Sequence, residues 1–423
     1  MPFPAFCRNN QPMRKPDILT VRNIAEKLAT RDAVTALLGP DHGSWTVTEI
    51  SDGNMNAVFR VASARQSIIA KYAPPYIRVI GESWPFPSSR IAFEQAALTE
   101  YHRICPDMVP AIIDYDADAA LLVMEDLAGF TVLRRALIEG MALPRLAEQA
   151  GQYLAQTLFH TSDLALPTVA KKQLLERFTG NAKLCATTET VIFTGPYWSA
   201  PLNKWNPLLD DMVSAIHQDR EWHQAAADLN EIFRTRTQSL IHGDLHTGSI
   251  MVTPDATRVI DAEWAFHGPM GFDIGALIGN LLIAFCAVPG HGDNRDYADW
   301  ILQTIEGIWR HFAEAFRQLV LTRRHDGDDA LLPARLFDDR AALAFTDRYL
   351  AQVLTDSAGF AGAKMTRRVI GISHVEDLEE INDPALRARC ERHVLTIARD
   401  LVVARNTIRS ISDITPLAQR HQP

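Results

Sequence analysis

Apolar residues at Ile18, Val21, Ile24 and Leu28 follow helical spacing, so Asp17–Leu38 reads as a helical region that Gly39-Pro40 stops. Trp45–Ile50, Ala57–Ala62 and Ser67–Tyr72 read as strands around the turn Ser51-Asp52-Gly53-Asn54-Met55-Asn56, with Lys71 near the end of the third. Arg90–Ile104 returns to helical spacing, with Phe93, Ala97, Tyr101 and Ile104 on one stripe. Ala120–Met124 is a continuous apolar run, the pattern of a buried strand, and it leads into Glu125-Asp126-Leu127-Ala128-Gly129. From Thr131 onward the pattern is mainly helical, with long periodic stretches at 145–160, 208–235, 296–320 and 384–412 and a polar loop at Thr322–Pro333. Strands followed by helices predict an α+β chain of two lobes. The first covers residues 1–127, with a loose arm over 1–16 and an antiparallel sheet; the second, larger and mainly helical, covers 128–423.

The chemistry concentrates between Ser239 and Asp273. Ser239–Ile241 is a short apolar entry, His242-Gly243-Asp244 a polar turn, Ile250–Val252 a strand, Pro254-Asp255 a turn and Arg258–Ile260 the returning strand. This hairpin carries one acid before its first strand, Asp244, and two after its second, Asp261 and Glu263. If the strand continues through them, Asp261 and Glu263 share a side by period-two alternation. One carboxylate set apart from a close pair suits metal-assisted phosphoryl transfer: the lone acid receives a hydroxyl proton, and the pair holds magnesium against ATP phosphates. Asp273 precedes an apolar helix and is expected to cap it or to brace the catalytic loop. His246 is expected to be a hydrogen-bonded loop residue rather than an acid–base catalyst.

Composition narrows the class. With 423 residues, 47% hydrophobic and 22% charged, the chain is an ordinary globular protein of two or three core-forming units or two large lobes. A net charge of −9 without a basic run argues against a nucleic-acid or anionic-membrane surface. Met1–Thr20 lacks the apolar core of a signal peptide. The most apolar run, Ile274–Val288, is about 15 residues and contains Gly275 and Gly279, short of the roughly 20 that span a bilayer, and is read as a buried helix. Five scattered cysteines without a CxxC pair suggest reduced thiols and a cytoplasmic location.

The strand–turn–strand–strand order ending in Lys71 resembles the nucleotide-covering hairpin of kinases, with one glycine in the turn where a Gly-rich loop has three. Asn54 or Asn56 can supply part of that work, since Asn tolerates left-handed backbone and offers an amide. Lys71 is a candidate ammonium for ATP phosphates, with Glu94 or Glu100 of the following helix as its carboxylate partner. The proline-bounded insertion Pro74–Pro87 is too aromatic for a linker. The Glu125–Gly129 segment suits a connector whose backbone hydrogen-bonds an adenine edge.

These residues carry a family resemblance. His242-Gly243-Asp244-Leu245-His246, with Asp261 seventeen positions after Asp244, is similar to the signature of the aminoglycoside phosphotransferase and choline kinase superfamily. Within it, SDGNMNAVF (51–59), YIRVIGESWP (76–85), HGDLHTGSI (242–250), IDAEWAFHGPMGFDIGALIGNLL (260–282) and GFAGAKMTRRVIGISHVED (359–377) resemble the S-methyl-5-thioribose kinase family. The resemblance implies a protein-kinase-like fold, ATP and Mg2+ as cofactors, S-methyl-5-thioribose 1-phosphate as product, a role in methionine salvage and a homodimer. It implies that Asn54 and Lys71 contact ATP, that Glu125, Asp126 and Leu127 hold its base, and that Asp261 and Glu263 bind the metal. Asp244 becomes the base that also touches the sugar, and Arg367 and Arg368 face the sugar and its new phosphate. Most phosphotransferases carry Asn five residues after the base; here Ser249 stands there, as in the thioribose kinases. The acidic pair brackets Ala262 where the family has proline.

Two other readings compete. A kinase of the same fold acting on another sugar or an amino-alcohol would have an acid-lined acceptor site. A nucleotide-binding pseudokinase would have lost Lys71, Asp244 or Asp261, and all three are present. For the methylthio tail, the aromatic insertion (Tyr76, Trp84, Phe86) and the pair Trp264 and Phe266 are both open.

Overall fold

The computed structural model describes residues 18–50, 55–78 and 83–420. Asn54 and the turn from Ser51, the arm at 1–16 and part of the aromatic insertion (79–82) lie outside the described residues. The chain divides into two compact units, one running to Ile91 and including Ile113–Asp126, the other comprising Ala92–Ile112 and Leu127 onward. A single cut at 127 therefore misplaces Ala92–Ile112: most of the helix beginning at Arg90 belongs with the second unit.

In the first unit, the segment expected as one helical region is two helices, α1 (Ile24–Ala29) and α2 (Asp32–Leu38). They break at Thr30-Arg31, where the Arg31 guanidinium turns to Asp114 and Asp116. The strands are β1 (Thr46–Ile50), β2 (Ala57–Ala62), β3 (Ser67–Tyr72), β4 (Ile112–Asp116) and β5 (Leu121–Glu125), in the order β1-β2-β3-β5-β4. The β1–β2, β2–β3 and β3–β5 pairs are antiparallel, with Lys71 opposite Leu122. Ile24, Leu28, Val34 and Leu38 pack with Phe59, Val61, Ile68 and Val123 in one core. That burial is the main source of the unit's stability, at about 25 cal/mol per Å² of apolar surface removed from water.

The second unit opens with α3 (Arg90–Ile104), followed after β5 by the short strand β6 (Thr131–Val132), α4 (Leu133–Ile138), α5 (Leu146–His160), α6 (Thr168–Phe178) and α7 (Ala182–Thr188). The stretch at 208–235 splits into α8 (Asp210–Ile216) and α9 (Arg220–Thr235), because the Asp219 carboxylate accepts the Trp222 N–H and starts a new helix. Then come β7 (Ser239–Ile241), β8 (Ile250–Val252), β9 (Thr257–Val259) and β10 (Phe266–Gly268). Strand β8 pairs with β6 and β9, and β10 pairs with β7.

Three long helices form the centre: α10 (Met270–Ala287), α11 (Arg295–Arg323) and α12 (Asp339–Ile370). Every residue of α10 is buried. With its continuation to His291 it is long and apolar enough to cross a membrane, so the shortness expected of this run is not what distinguishes it; burial of 94% of its most apolar window inside the protein does. Glycines make that burial possible. A Cβ at Gly271 would stand 2.9 Å from the Ser357 nitrogen, one at Gly275 2.5 Å from the Ser357 oxygen, and one at Gly279 2.7 Å from the Ala361 oxygen. Spaced four apart, they let the backbones of α10 and α12 approach along one ridge. On the other side of α12, Gly362 meets α14 (Pro384–Val403), where a Cβ would lie 2.4 Å from the Ala398 oxygen. The short α13 (Glu376–Glu379) joins α12 to α14. The expected α+β class holds, with an antiparallel sheet in the first unit and a mainly helical second unit.

Candidate active site

The turn after β7 is held rigid by side chains from elsewhere in the second unit. Asp273, in the first turn of α10, accepts the backbone N–H of His242 at 2.6 Å and of Gly243 at 3.0 Å. Its carboxylate braces this loop and does not cap the helix, whose N-terminus at Pro269 has no side-chain cap. Burial raises the Asp273 pKa, while His242 and the two N–H groups pull against that rise. His242 donates from Nε2 to the Ile260 carbonyl at 2.8 Å and receives the Asp244 N–H on Nδ1 at 3.3 Å. One imidazole thereby ties the loop bearing Asp244 to the residue before Asp261. Gly243 has φ +82, and a Cβ there would lie 2.2 Å from the Trp264 oxygen. Only glycine lets the two turns approach so closely.

The acidic pair is brought together differently from the strand alternation expected. Strand β9 ends at Val259; Asp261 has left-handed backbone (φ 69), and Ala262–Trp264 is a single 3₁₀ turn. Asn181 donates to the carbonyls of Glu263 (3.0 Å) and Ala265 (2.9 Å), fixing that turn. Glu94 of α3 joins the pair, and ligand oxygens of Glu94, Asp261 and Glu263 all lie within 4.8 Å of one another. Glu94 and Glu263 are buried. Three carboxylates this close are a donor set for a hard divalent cation, so these residues fit Mg2+. Ser249 is placed otherwise: its hydroxyl donates to the Asp244 carbonyl at 3.0 Å, a loop-shaping bond.

Around Asp244 the charge is positive. Lys364 donates to its Oδ1 at 2.6 Å, and Arg367 Nη1 lies 4.0 Å from the same oxygen. His246 presents Nε2 to Oδ2 at 3.4 Å. Its Nδ1 accepts the Gly248 N–H at 2.8 Å, so it is the hydrogen-bonded loop residue expected. Burial, opposed by Asp244, pushes the His246 pKa down to about 3, which leaves the ring neutral near pH 7. Burial also disfavours the Asp244 carboxylate, but Lys364, His246 and Arg367 outweigh it and hold the group well below the usual range. Asp244 stays 18% exposed, accessible to an acceptor.

Arg368 turns elsewhere, donating to the Ser373 carbonyl at 2.9 Å. Arg134 of α4 ion-pairs through Nε with Asp377 and through Nη1 with Glu376, both at 3.0 Å. Among the described residues, the buried N–H groups at Nε of Arg367 and Arg368 have no hydrogen-bond acceptor. Unfilled donors on two buried guanidinium groups, one of them 4.0 Å from Asp244, suit an anion. Lys364 and Arg134 were not evident from the sequence pattern. The signal for Lys364 was there: it precedes the arginine pair by three and four residues, which puts all three on one helix face.

Other expected residues sit in the first unit. Lys71 is buried on β3. The Asp126 carboxylate is engaged by Arg60 at 2.6 Å and by the Ser67 hydroxyl, which leaves its backbone as the part able to meet a base. Glu125 ends β5, and the Leu127 carbonyl, in the second unit, accepts the Phe130 N–H at 3.1 Å. Asn56 accepts from Arg90 Nε at 2.8 Å, which ties it to the start of α3. Among the aromatic residues, Phe86 is buried with Arg90 against its ring, and Phe266 packs on Phe233 with centroids 4.9 Å apart. Both are spent on packing.

A profile of the phosphotransferase enzyme family matches residues 46–307. Methylthioribose kinase 1 of Oryza sativa subsp. japonica is 40% identical over 388 residues, 90% of this chain and 90% of its own length. A methylthioribose kinase of Escherichia coli is 42% identical over 382 residues, 89% of this chain and 91% of its own. A methylthioribose kinase of Yersinia pseudotuberculosis is 39% identical over 363 residues, 85% and 86% of the two lengths.

Proposed function

Because the chain belongs to the methylthioribose kinases, within the phosphotransferase enzyme family, we propose that it moves the γ-phosphoryl group of ATP to the anomeric hydroxyl of S-methyl-5-thioribose. The products are S-methyl-5-thioribose 1-phosphate and ADP, a step of methionine salvage. The observation that carries the reading is the cationic setting of one accessible carboxylate, Asp244, together with a separate acidic cluster.

Asp244 receives the sugar hydroxyl and its proton. Asp261 and Glu263, with Glu94 beside them, would hold Mg2+, which would supply charge neutralisation at the ATP phosphates. Lys71 and the backbone of Glu125, Asp126 and Leu127 contact ATP, and Asn54 is assigned the same role. Arg367 and Arg368 are assigned to the sugar and its new phosphate, Arg368 through the buried Nε–H that its bond to the Ser373 carbonyl leaves over. The sugar is uncharged and its product an anion, so cations near the acceptor stabilise what the transition state develops rather than what first binds. The same cations disfavour the amino-alcohol reading. Choline and aminoglycosides carry positive charge, and Lys364 and Arg367 at Asp244 would repel it. The described cysteines (Cys105, Cys185, Cys286, Cys390) form no disulfide, which supports a cytoplasmic enzyme; we take it to act as a homodimer, as the family resemblance implies.

The test is ADP release from ATP and Mg2+ with methylthioribose beside choline, homoserine, ribose and an aminoglycoside. Methylthioribose should give the highest kcat/KM. A preference for a cationic acceptor would overturn the assignment.

A further inference from the structure

We propose that Lys364 is a positioning residue for the transfer: its ammonium fixes Oδ1 of Asp244, so that Oδ2 is the oxygen that receives the hydroxyl proton. The inference rests on the reading of Asp244 as the acceptor of that proton.

The two oxygens of Asp244 are not equivalent. Oδ1 takes the Lys364 hydrogen bond at 2.6 Å and has Arg367 at 4.0 Å. Among the described residues, Oδ2 has the His246 ring as its neighbour, 3.4 Å away, whose other nitrogen already accepts from Gly248. Both cations therefore lie on one oxygen, and the more basic lone pairs are on the other. The Lys364 side chain is 2% exposed and its ammonium lies 4.6 Å from the Phe272 ring centroid, so its placement is defined by packing as well as by charge. A buried ammonium needs a partner, and Asp244 supplies it. Lys364 also sits on the stretch of α12 that the glycine ridge of α10 holds at close range.

In the step, the sugar oxygen forms a bond to the γ-phosphorus while the bond from that phosphorus to the ADP oxygen breaks. The hydroxyl proton passes to Oδ2, Lys364 keeps its own protons, and no further reactant is required. The charged and titratable groups facing Lys364 are Asp244 from the loop, Arg367 and Arg368 from its own helix and Asp273 from α10; His246 bears on Asp244, and Arg134 and Glu376 bear on Arg368. Burial brings Lys364 down to about 8, still protonated near neutrality.

The experiment compares kcat/KM against pH for the full-length wild type, Lys364→Met and Lys364→Arg with methylthioribose, ATP and Mg2+, with folding checked by circular dichroism. Lys364→Met should lose about 10–100-fold in kcat, at or below the lower end of the roughly 10²–10⁴-fold of general-base catalysis because the base itself remains, with KM for ATP changed less than about twofold. Its acid limb should rise by about 1–3 pH units, because the nearest cation no longer favours the Asp244 carboxylate. Lys364→Arg should keep the limb near that of the wild type and recover part of the rate. A slow Lys364→Met with an unmoved acid limb would mean a merely structural lysine and overturn the proposal, as would full activity. Should Lys364→Met fail to fold, Lys364→Gln carries the same test. If the wild type ignores methylthioribose, the substrate reading fails by itself, and the profiles are measured on whichever acceptor releases ADP.

Discussion

Gly275→Ala adds one methyl group at the α10–α12 contact, and its consequence can be worked from the distances. The new Cβ would stand 2.5 Å from the Ser357 oxygen, about 0.9 Å short of the 3.4 Å at which ordinary contact begins, with Phe360 Cβ at 2.8 Å and Ala361 N at 2.9 Å. Two of these three atoms are backbone, so no side-chain rotation relieves the clash; α12 itself must shift. Overpacking of this kind typically destabilises by about 1–3 kcal/mol. For a protein this large, that lowers Tm by about 2–4 °C per kcal/mol at most. The functional effect follows from what α12 carries. A shift of about an ångström lengthens the 2.6 Å Lys364–Asp244 bond beyond hydrogen-bonding range, and such a misplacement can reduce rate about 10²-fold. Thermal melting and steady-state kinetics on the purified variant are the assay. Gly307→Ala serves as a control: its Cβ would meet the Ala147 side chain of α5 at 2.8 Å, stressing the α11–α5 contact instead, so Tm should fall without an equal loss of kcat. A Gly275→Ala protein with wild-type Tm and kcat would refute the claim that this ridge sets the position of the cationic helix face.

Other outcomes follow from the site. Asp261→Ala should nearly abolish turnover and weaken Mg2+-dependent ATP binding, measured by calorimetry with and without the metal, because Ser249 is engaged with the Asp244 carbonyl; near-wild-type activity would remove Asp261 from the site. Asp244→Asn should cut kcat by about 10²–10⁴ while leaving ATP affinity largely intact, and equal losses in both would mark Asp244 as structural. With His246 neutral down to about pH 3, a His246→Asn variant should show no new acid limb between about pH 5 and 7. Methylthioribose should be preferred over ribose by roughly 10–200-fold in kcat/KM, the value of one or two buried apolar atoms, since both sugars present the same hydroxyl to Asp244.

Much of this was legible in the sequence, for physical reasons that differ by element. Strands β2 and β3 and helix α3 were readable to their end residues because local turn chemistry and the spacing of apolar residues mark them. The motif order around Asp244, Asp261 and Glu263 was readable because those carboxylates are close in sequence. Helix α12 was not, although it is the longest described. From Val353 to Ile370 every residue is buried, so no polar face marks a helical period. With no periodic stretch marked there within the mainly helical remainder, Lys364 went unnoticed next to the arginines it accompanies. Glu94 was seen only as a lysine partner, since its approach to Asp261 depends on how α3 packs within the second unit. Strand β4 has no run of fully buried residues and lacks the alternation that signals a strand. The left-handed backbone at Asp261 could not be read from spacing at all.

The central claim is that Asp244 directs the γ-phosphoryl group to the anomeric oxygen of methylthioribose. The measurement that meets it most directly is phosphorus and carbon NMR of the product formed by the purified protein from methylthioribose, ATP and Mg2+. One new phosphomonoester is expected, its phosphorus coupled to the anomeric carbon and its hydrogen, appearing in step with ADP. Phosphorus coupled to any other ribose carbon, or ADP formed without a phosphorylated sugar, would contradict it.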